Sequence, residues 1–122
     1  MSLRKQIKIK RAYEDPAQDD GVRILVDRLW PRGLSKARAQ IDLWLKDLAP
    51  SSTLRRWFNH DPARWAEFRR RYASELDAKD RAIAALRGAV RRGRVTLLFS
   101  ANDPEHNNAV ALQAYLARRR TV

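Results

Sequence analysis

The chain has 122 residues, one domain's worth, and no cysteine, which excludes disulfides, thiol catalysis and cysteine-ligated zinc or iron–sulfur centres. Lys and Arg number 26 against 14 Asp and Glu, a formal net charge of +12 that attracts nucleic acid, phosphorylated metabolites or an anionic surface. No apolar stretch is long enough to span a bilayer, and Met1-Ser2-Leu3-Arg4-Lys5 lacks the pattern of a signal peptide, so a cytoplasmic protein with no membrane partner is expected.

Residues 6–12 alternate apolar and basic at first, the period-two pattern of a half-exposed strand. Residues 14–21 form an acidic, turn-rich loop, read as solvated, with a lid over a basic site as the alternative. A strand over 22–27 follows, ending in Asp27-Arg28-Leu29-Trp30-Pro31-Arg32-Gly33. Ser35 is placed to cap a short helix through Gln40, and residues 41–45 alternate as a third strand. Ser51, Ser52 or Thr53 caps a helical turn carrying Leu54, Trp57 and Phe58. Asp61 and Pro62 open a helix with Trp65, Phe68, Tyr72 and Leu76 on one face. Another helix runs from about Lys79 to Arg92, with Ile83, Leu86 and Val90 inward and Gly93 past its end. Residues 94–99 are apolar almost throughout, which fits a strand buried on both faces of a parallel sheet. Asp103-Pro104 repeats the N-cap pattern, predicting a final helix to about Arg119 with Ala109, Leu112 and Leu116 inward.

This order predicts one α/β domain over residues 1–122. It has three layers, with a small, mostly parallel central sheet flanked by helices. The short link between the first two strands leaves room for one antiparallel pairing.

Polar residues crowd after two strands, at 27–33 and at 100–107. In open α/β sheets ligands bind beyond the carboxyl ends of the strands. Arg28 and Arg32 suit a bidentate clamp on phosphate or carboxylate, with Asp103 and Asn107 beside them at a helix start whose unpaired N–H groups favour an anion. The alternative is that Asp27 pairs with one of these arginines and only pins the loop. His106 falls in the first turn of the last helix, where the dipole favours a neutral imidazole able to act as a base. Asp27 or Asp103 would orient it, and Ser100 offers a hydroxyl, but no nucleophile-elbow pattern surrounds that serine. His60 reads as a cap or as packing against Trp57. Trp44 and Trp65 read as core, while Trp30 either stacks on a ligand ring or plugs a cavity. No metal-ligand spacing is present, and no motif identifies a cofactor.

Asp27-Arg28-Leu29-Trp30-Pro31-Arg32-Gly33 and Ala49-Pro50-Ser51 together resemble the YeaO-like branch of the domain of unknown function 488 family. So do Leu54-Arg55, Trp57-Phe58, His60-Asp61, Trp65, Phe68, Tyr72 and Glu75-Leu76. Thr96-Leu97-Leu98, Ala101-Asn102-Asp103, His106-Asn107 and Ala109 extend the resemblance, which runs from about Ile7 to Leu116. It implies a small bacterial or archaeal α/β protein without an established activity. Some members carry labels suggesting transcription regulation, but no helix-turn-helix reader is visible here. Distant relatives have a cysteine near the end of the last strand; Phe99 and Ser100 stand there in this chain, so thiol chemistry does not transfer. Asn102 stands where lysine is expected in many close relatives, so a cationic role does not transfer to it either.

Two functions follow as expectations. One is a cleft binding an anionic or phosphate-bearing small molecule through Arg28, Trp30, Arg32, Asp103 and Asn107, with acid/base chemistry by His106 and Asp27. The other is a non-catalytic nucleic-acid binder using Arg69 to Arg71, Arg91, Arg92, Arg94 and Arg118 to Arg120 with Trp30. Neither fixes an oligomeric state.

Overall fold

The computed structural model describes residues 7–118. Their strands are β1 (Ile7–Arg11), β2 (Val22–Leu25), β3 (Leu43–Trp44) and β4 (Val95–Phe99). The helices are α1 (Lys36–Ala39), α2 (Ser52–Phe58), α3 (Trp65–Asp77), α4 (Asp80–Arg92) and α5 (Asn108–Arg118). Single 3-10 turns lie at Gln18–Asp20, Lys46–Leu48 and Pro62–Arg64. The strand order is β1-β4-β2-β3 and every pairing is parallel. No antiparallel pair forms between β1 and β2, because β4 lies between them and the short link need not turn the chain back on a neighbour. The expected α/β class with a parallel sheet is what the chain adopts.

β4 is buried at all five positions, as its unbroken apolar run requires of a strand covered on both faces. Its partners alternate. Ile7, Ile24, Val26, Val95, Leu97 and Phe99 face α2 to α5 and meet Phe58, Phe68, Tyr72, Leu76, Leu86 and Leu112 in the main core. Fully burying each such side chain contributes roughly 1.5–3 kcal/mol. Trp65 and Trp44 are only half-buried, each at the margin of a core cluster.

The opposite face has a thinner cover of loops and short helices, and it is partly polar. Leu25, Leu98 and Ala12 pack there beneath Trp30, Leu34, Ile41 and Trp44. Next to them lies Asp20, wholly buried inside the loop that read as solvated. Its carboxylate meets Lys8 Nζ and Lys10 Nζ at 3.0 Å each and Arg23 Nη1 at 2.6 Å. Arg23, 3% exposed, donates its remaining hydrogen bonds to the carbonyls of Ala39 and Gln40. Burial would raise the Asp20 pKa, but hydrogen bonds from the Ala17 N–H, Lys8, Lys10 and Arg23 prevail and hold the carboxyl well below its usual range. Gly21 makes this crossing possible. Its φ is +65°, and a Cβ there would meet the Arg94 carbonyl oxygen at 2.1 Å.

Most caps fall where the sequence places them. Ser35 and Ser51 accept from the N–H groups of Arg38 and Leu54, and Asp61 from that of Ala63. β3 shortens to two residues, since Lys46–Leu48 turns into a 3-10 helix at once. The last helix starts later than predicted. Asp103 caps only a turn, accepting from Glu105 N and His106 N, whereas Asn107 Oδ1 accepts from Val110 N and sets the start of α5 at Asn108. His106 therefore sits in a loop before α5 rather than in its first turn, and the dipole argument for a neutral imidazole loses its basis. Arg119 and Arg120 lie outside the described residues.

Candidate functional site

Because β2 and β4 are parallel neighbours, their carboxyl ends emerge side by side, and Asp27 ties them together. Its Oδ2 accepts from Ser100 N at 2.9 Å and Ser100 Oγ at 2.7 Å, and its Oδ1 from Asn108 Nδ2 at 3.0 Å. Asn108 also donates to the Val26 carbonyl at 2.9 Å. Asp27 is thus a pin, but its partners are Ser100 and Asn108 instead of an arginine. The two indoles hold the loop that follows: Trp44 Nε1 donates to Asp27 O, Trp30 Nε1 to Leu34 O, and their rings meet edge-on at 5.6 Å. Trp30 therefore seals the second core, and its ring edge only borders what lies above.

Above this floor opens a cleft of about 420 Å³. β2 contributes Asp27, Arg28, Trp30 and Arg32 through the loop that follows it; the segment after β4 contributes Ser100, His106, Asn107 and Asn108. α2 and α3 close it with Arg55, Phe58 and Phe68, and the turn after α2 adds His60. Phe58 and Phe68 stack at 4.4 Å, making the inner wall apolar. The Ala49-Pro50 wall is held by α3: Glu75 accepts from Ser51 N at 2.8 Å and Ser51 Oγ at 2.6 Å, and Tyr72 donates to the Leu48 carbonyl. Complete burial, with Asp27 and Glu75 nearby, pushes the Tyr72 phenol far up, so it stays a neutral hydrogen-bond donor.

Charge in the cleft is one-sided. Asp27 is fully engaged, while the Arg28 guanidinium reaches only the Pro50 carbonyl at 3.5 Å and Arg32 pairs with no described carboxylate. The Arg32 backbone carbonyl accepts from Tyr13 Oη at 2.9 Å, which orients that loop and leaves the guanidinium exposed. His106 Nδ1 lies 2.8 Å from Asp103 Oδ2, and its ring meets Trp65 edge-on at 5.3 Å. The Glu105 N–H, then His106, keep the Asp103 carboxyl below its ordinary range, so it stays ionised and holds the imidazole in place.

Ser100 and His106 belong to separate pairs, Ser100 with Asp27 and His106 with Asp103, so no Ser–His–Asp relay is assembled. Asn107 spends its amide on the Asp103 carbonyl and the Val110 N–H, so it caps α5 and offers the cleft little. His60 lines the cleft in a left-handed backbone conformation, while Arg71 and Arg64 lie against the Trp57 ring that was expected to receive it. Asn108, Arg55 and the apolar members Tyr13, Leu29, Phe58 and Phe68 are site residues that sequence reasoning missed. Asn108 carries no signal apart from the adjacent Asn107, since either amide suits a cap.

Three of the arginines proposed for nucleic acid, Arg91, Arg92 and Arg94, lie away from Trp30. Arg94 precedes β4, and Arg91 and Arg92 end the helix leading into it, so these lie at the amino end of the sheet, opposite the cleft. Arg70 and Arg71 pair with Glu67, and Arg69 lies over Trp65. No group of three metal-ligating side chains converges among the described residues, and none of their helices is long and apolar enough to cross a membrane.

Residues 6–121 match the family described as the inactive DUF488-N3 subclade. The chain belongs to the DUF488 family. Uncharacterized proteins of Mycobacterium tuberculosis and Mycobacterium bovis are 40% identical to it over 114 residues, covering 93% of this chain and 96% of theirs. The uncharacterized protein YeaO of Escherichia coli is 39% identical over 110 residues, covering 90% and 96%. The resemblance to the YeaO-like branch of DUF488 therefore holds. No solved structure matches.

Proposed function

We propose that this DUF488 protein binds an anionic, phosphate- or carboxylate-bearing small molecule in the cleft at the strand carboxyl ends. Arg28 and Arg32 would grip the anion. The observation that carries this reading is two exposed guanidiniums without a carboxylate partner, at the mouth of a cleft whose one acid, Asp27, is already bonded to Ser100 and Asn108. His106, held by Asp103 through Nδ1, has Nε2 left to meet the ligand. The family's description as inactive, with Ser100 bonded to Asp27 and no Ser–His contact, favours binding without turnover. Acid/base chemistry by His106 and Asp27 is the competing outcome, which product analysis on any bound compound would reveal.

A thermal-shift screen against nucleotides, sugar phosphates, carboxylate cofactors and short oligonucleotides, at low and moderate salt, tests the proposal. Saturation to 100 times Kd stabilises the native state by about 2.7 kcal/mol. One compound class should raise Tm at both salts, and Arg28→Ala should abolish the shift. A shift from oligonucleotides alone, vanishing with salt, would replace the cleft by a polyanion surface using Arg69 to Arg71, Arg91, Arg92 and Arg94.

A further inference from the structure

We infer that the ligand of this cleft carries a planar ring as well as negative charge, as an aryl phosphate or a nucleoside monophosphate does. The inference rests on the anion-binding reading above and narrows it. Of 12 aromatic side chains in the chain, counting both histidines, half line this one cleft; Phe58 and Phe68 are buried in its wall and Trp30 shows only an edge, which leaves Tyr13, His60 and His106 as the rings a ligand can face.

A second observation comes from exposure. Among the described residues only Tyr13, Leu29 and Leu43 are large apolar groups left exposed, and two of the three, Tyr13 (38%) and Leu29 (68%), border the cleft. Leu29 stands between Arg28 and Trp30 on the loop pinned by Asp27 and the two indoles, so its exposure is held in place by the fold. A purely ionic ligand such as inorganic phosphate would leave these apolar atoms in water. A ligand with a ring beside its anionic group covers them while the arginines meet the charge. The volume, about 420 Å³, lies within the roughly 300–1,000 Å³ typical of small-molecule sites, well beyond what a lone phosphate fills.

Isothermal titration of the full chain with adenosine monophosphate, ribose 5-phosphate, octyl phosphate and adenosine separates the contributions. Adenosine monophosphate should bind about tenfold or more tightly than ribose 5-phosphate, since stacking of one base adds roughly that much. Guanosine and cytidine monophosphates should fall within a few fold of it, because a stacking surface accepts any base. Leu29→Ala, at an exposed position that leaves the fold intact, should weaken adenosine monophosphate several-fold and leave ribose 5-phosphate unchanged. Equal affinity for ribose 5-phosphate and adenosine monophosphate would overturn the ring requirement while sparing the anion site. Octyl phosphate matching the nucleotide would overturn it in favour of an acyl chain. Adenosine matching the nucleotide would overturn the pairing of ring with charge, and failure of every phosphate to bind would overturn the inference together with the phosphate-binding reading of the cleft.

Discussion

Replacing Asp20 with alanine removes the buried carboxylate shared by three cations on the covered polar face of the sheet, leaving only the exposed Asp19 beside Lys8. Arg23 stays 3% exposed and loses its only carboxylate, Lys10 loses its ion pair, and the Ala17 N–H loses its acceptor. Arg23 cannot shed its proton to escape burial. Breaking a buried pair from one side costs about 3–5 kcal/mol. That range applies here because the carboxylate is fully enclosed and the guanidinium nearly so, whereas Lys8 and Lys10 retain some access to water. Urea unfolding should show this loss in the midpoint with an unchanged slope. Asp20→Asn should cost nearly as much, because the charge, not the shape, holds the cluster. The pH dependence has a definite sign. The folded-state pKa of Asp20 is depressed, so its contribution is complete above the unfolded value near pH 4 and is lost as pH falls below it. Wild-type stability should therefore decline more steeply below about pH 4 than that of Asp20→Asn. A loss under about 1 kcal/mol for Asp20→Ala, the size of an exposed ion pair, would refute the reasoning.

Two further substitutions probe the frame of the cleft. Asp27→Ala should destabilise by about 1.5–3 kcal/mol, the scale of a hydrogen bond to a charged group, and should speed amide exchange at Ser100, whose N–H loses its acceptor; unchanged protection there would show that the pin is unimportant. Gly21→Ala places a methyl group against the Arg94 carbonyl at a positive φ and should cost about 2–4 kcal/mol in thermal or urea unfolding, where a neutral effect would contradict the close crossing.

The elements that were legible in the sequence are those set by local chemistry. The apolar run of β4 announced a strand covered on both faces, and the four-residue spacing of Phe68, Tyr72 and Leu76 announced the inward side of α3. Strand order was not legible, because β1 and β2 choose β4 as a shared neighbour through packing that no single segment encodes. The start of α5 was misplaced because Asp103 and Asn107 compete as caps, and either suits the role until their side-chain conformers are known. The burial of Asp20 had a readable trace. Lys8, Lys10 and Arg23 alternate with apolar residues in their strands, and the adjacent acidic loop is the nearest source of counter-charge. In the site, Arg28, Trp30, Arg32 and His106 do come together around one cleft, whereas the partners of Asp27 and the ring-lined wall depend on α2 and α3 folding over the strand ends.

The central claim is that an anion binds where Arg28 and Arg32 project beyond β2. Its most direct test is a titration of the isotopically labelled protein with the best phosphate from the screen, followed by amide, indole and imidazole NMR shifts. The account predicts saturable shifts concentrated at residues 27–32 and 100–108, including the His106 ring, and their loss in Arg28→Ala. Shifts centred instead on residues 69–71 and 91–94, at sites away from the cleft, would contradict it.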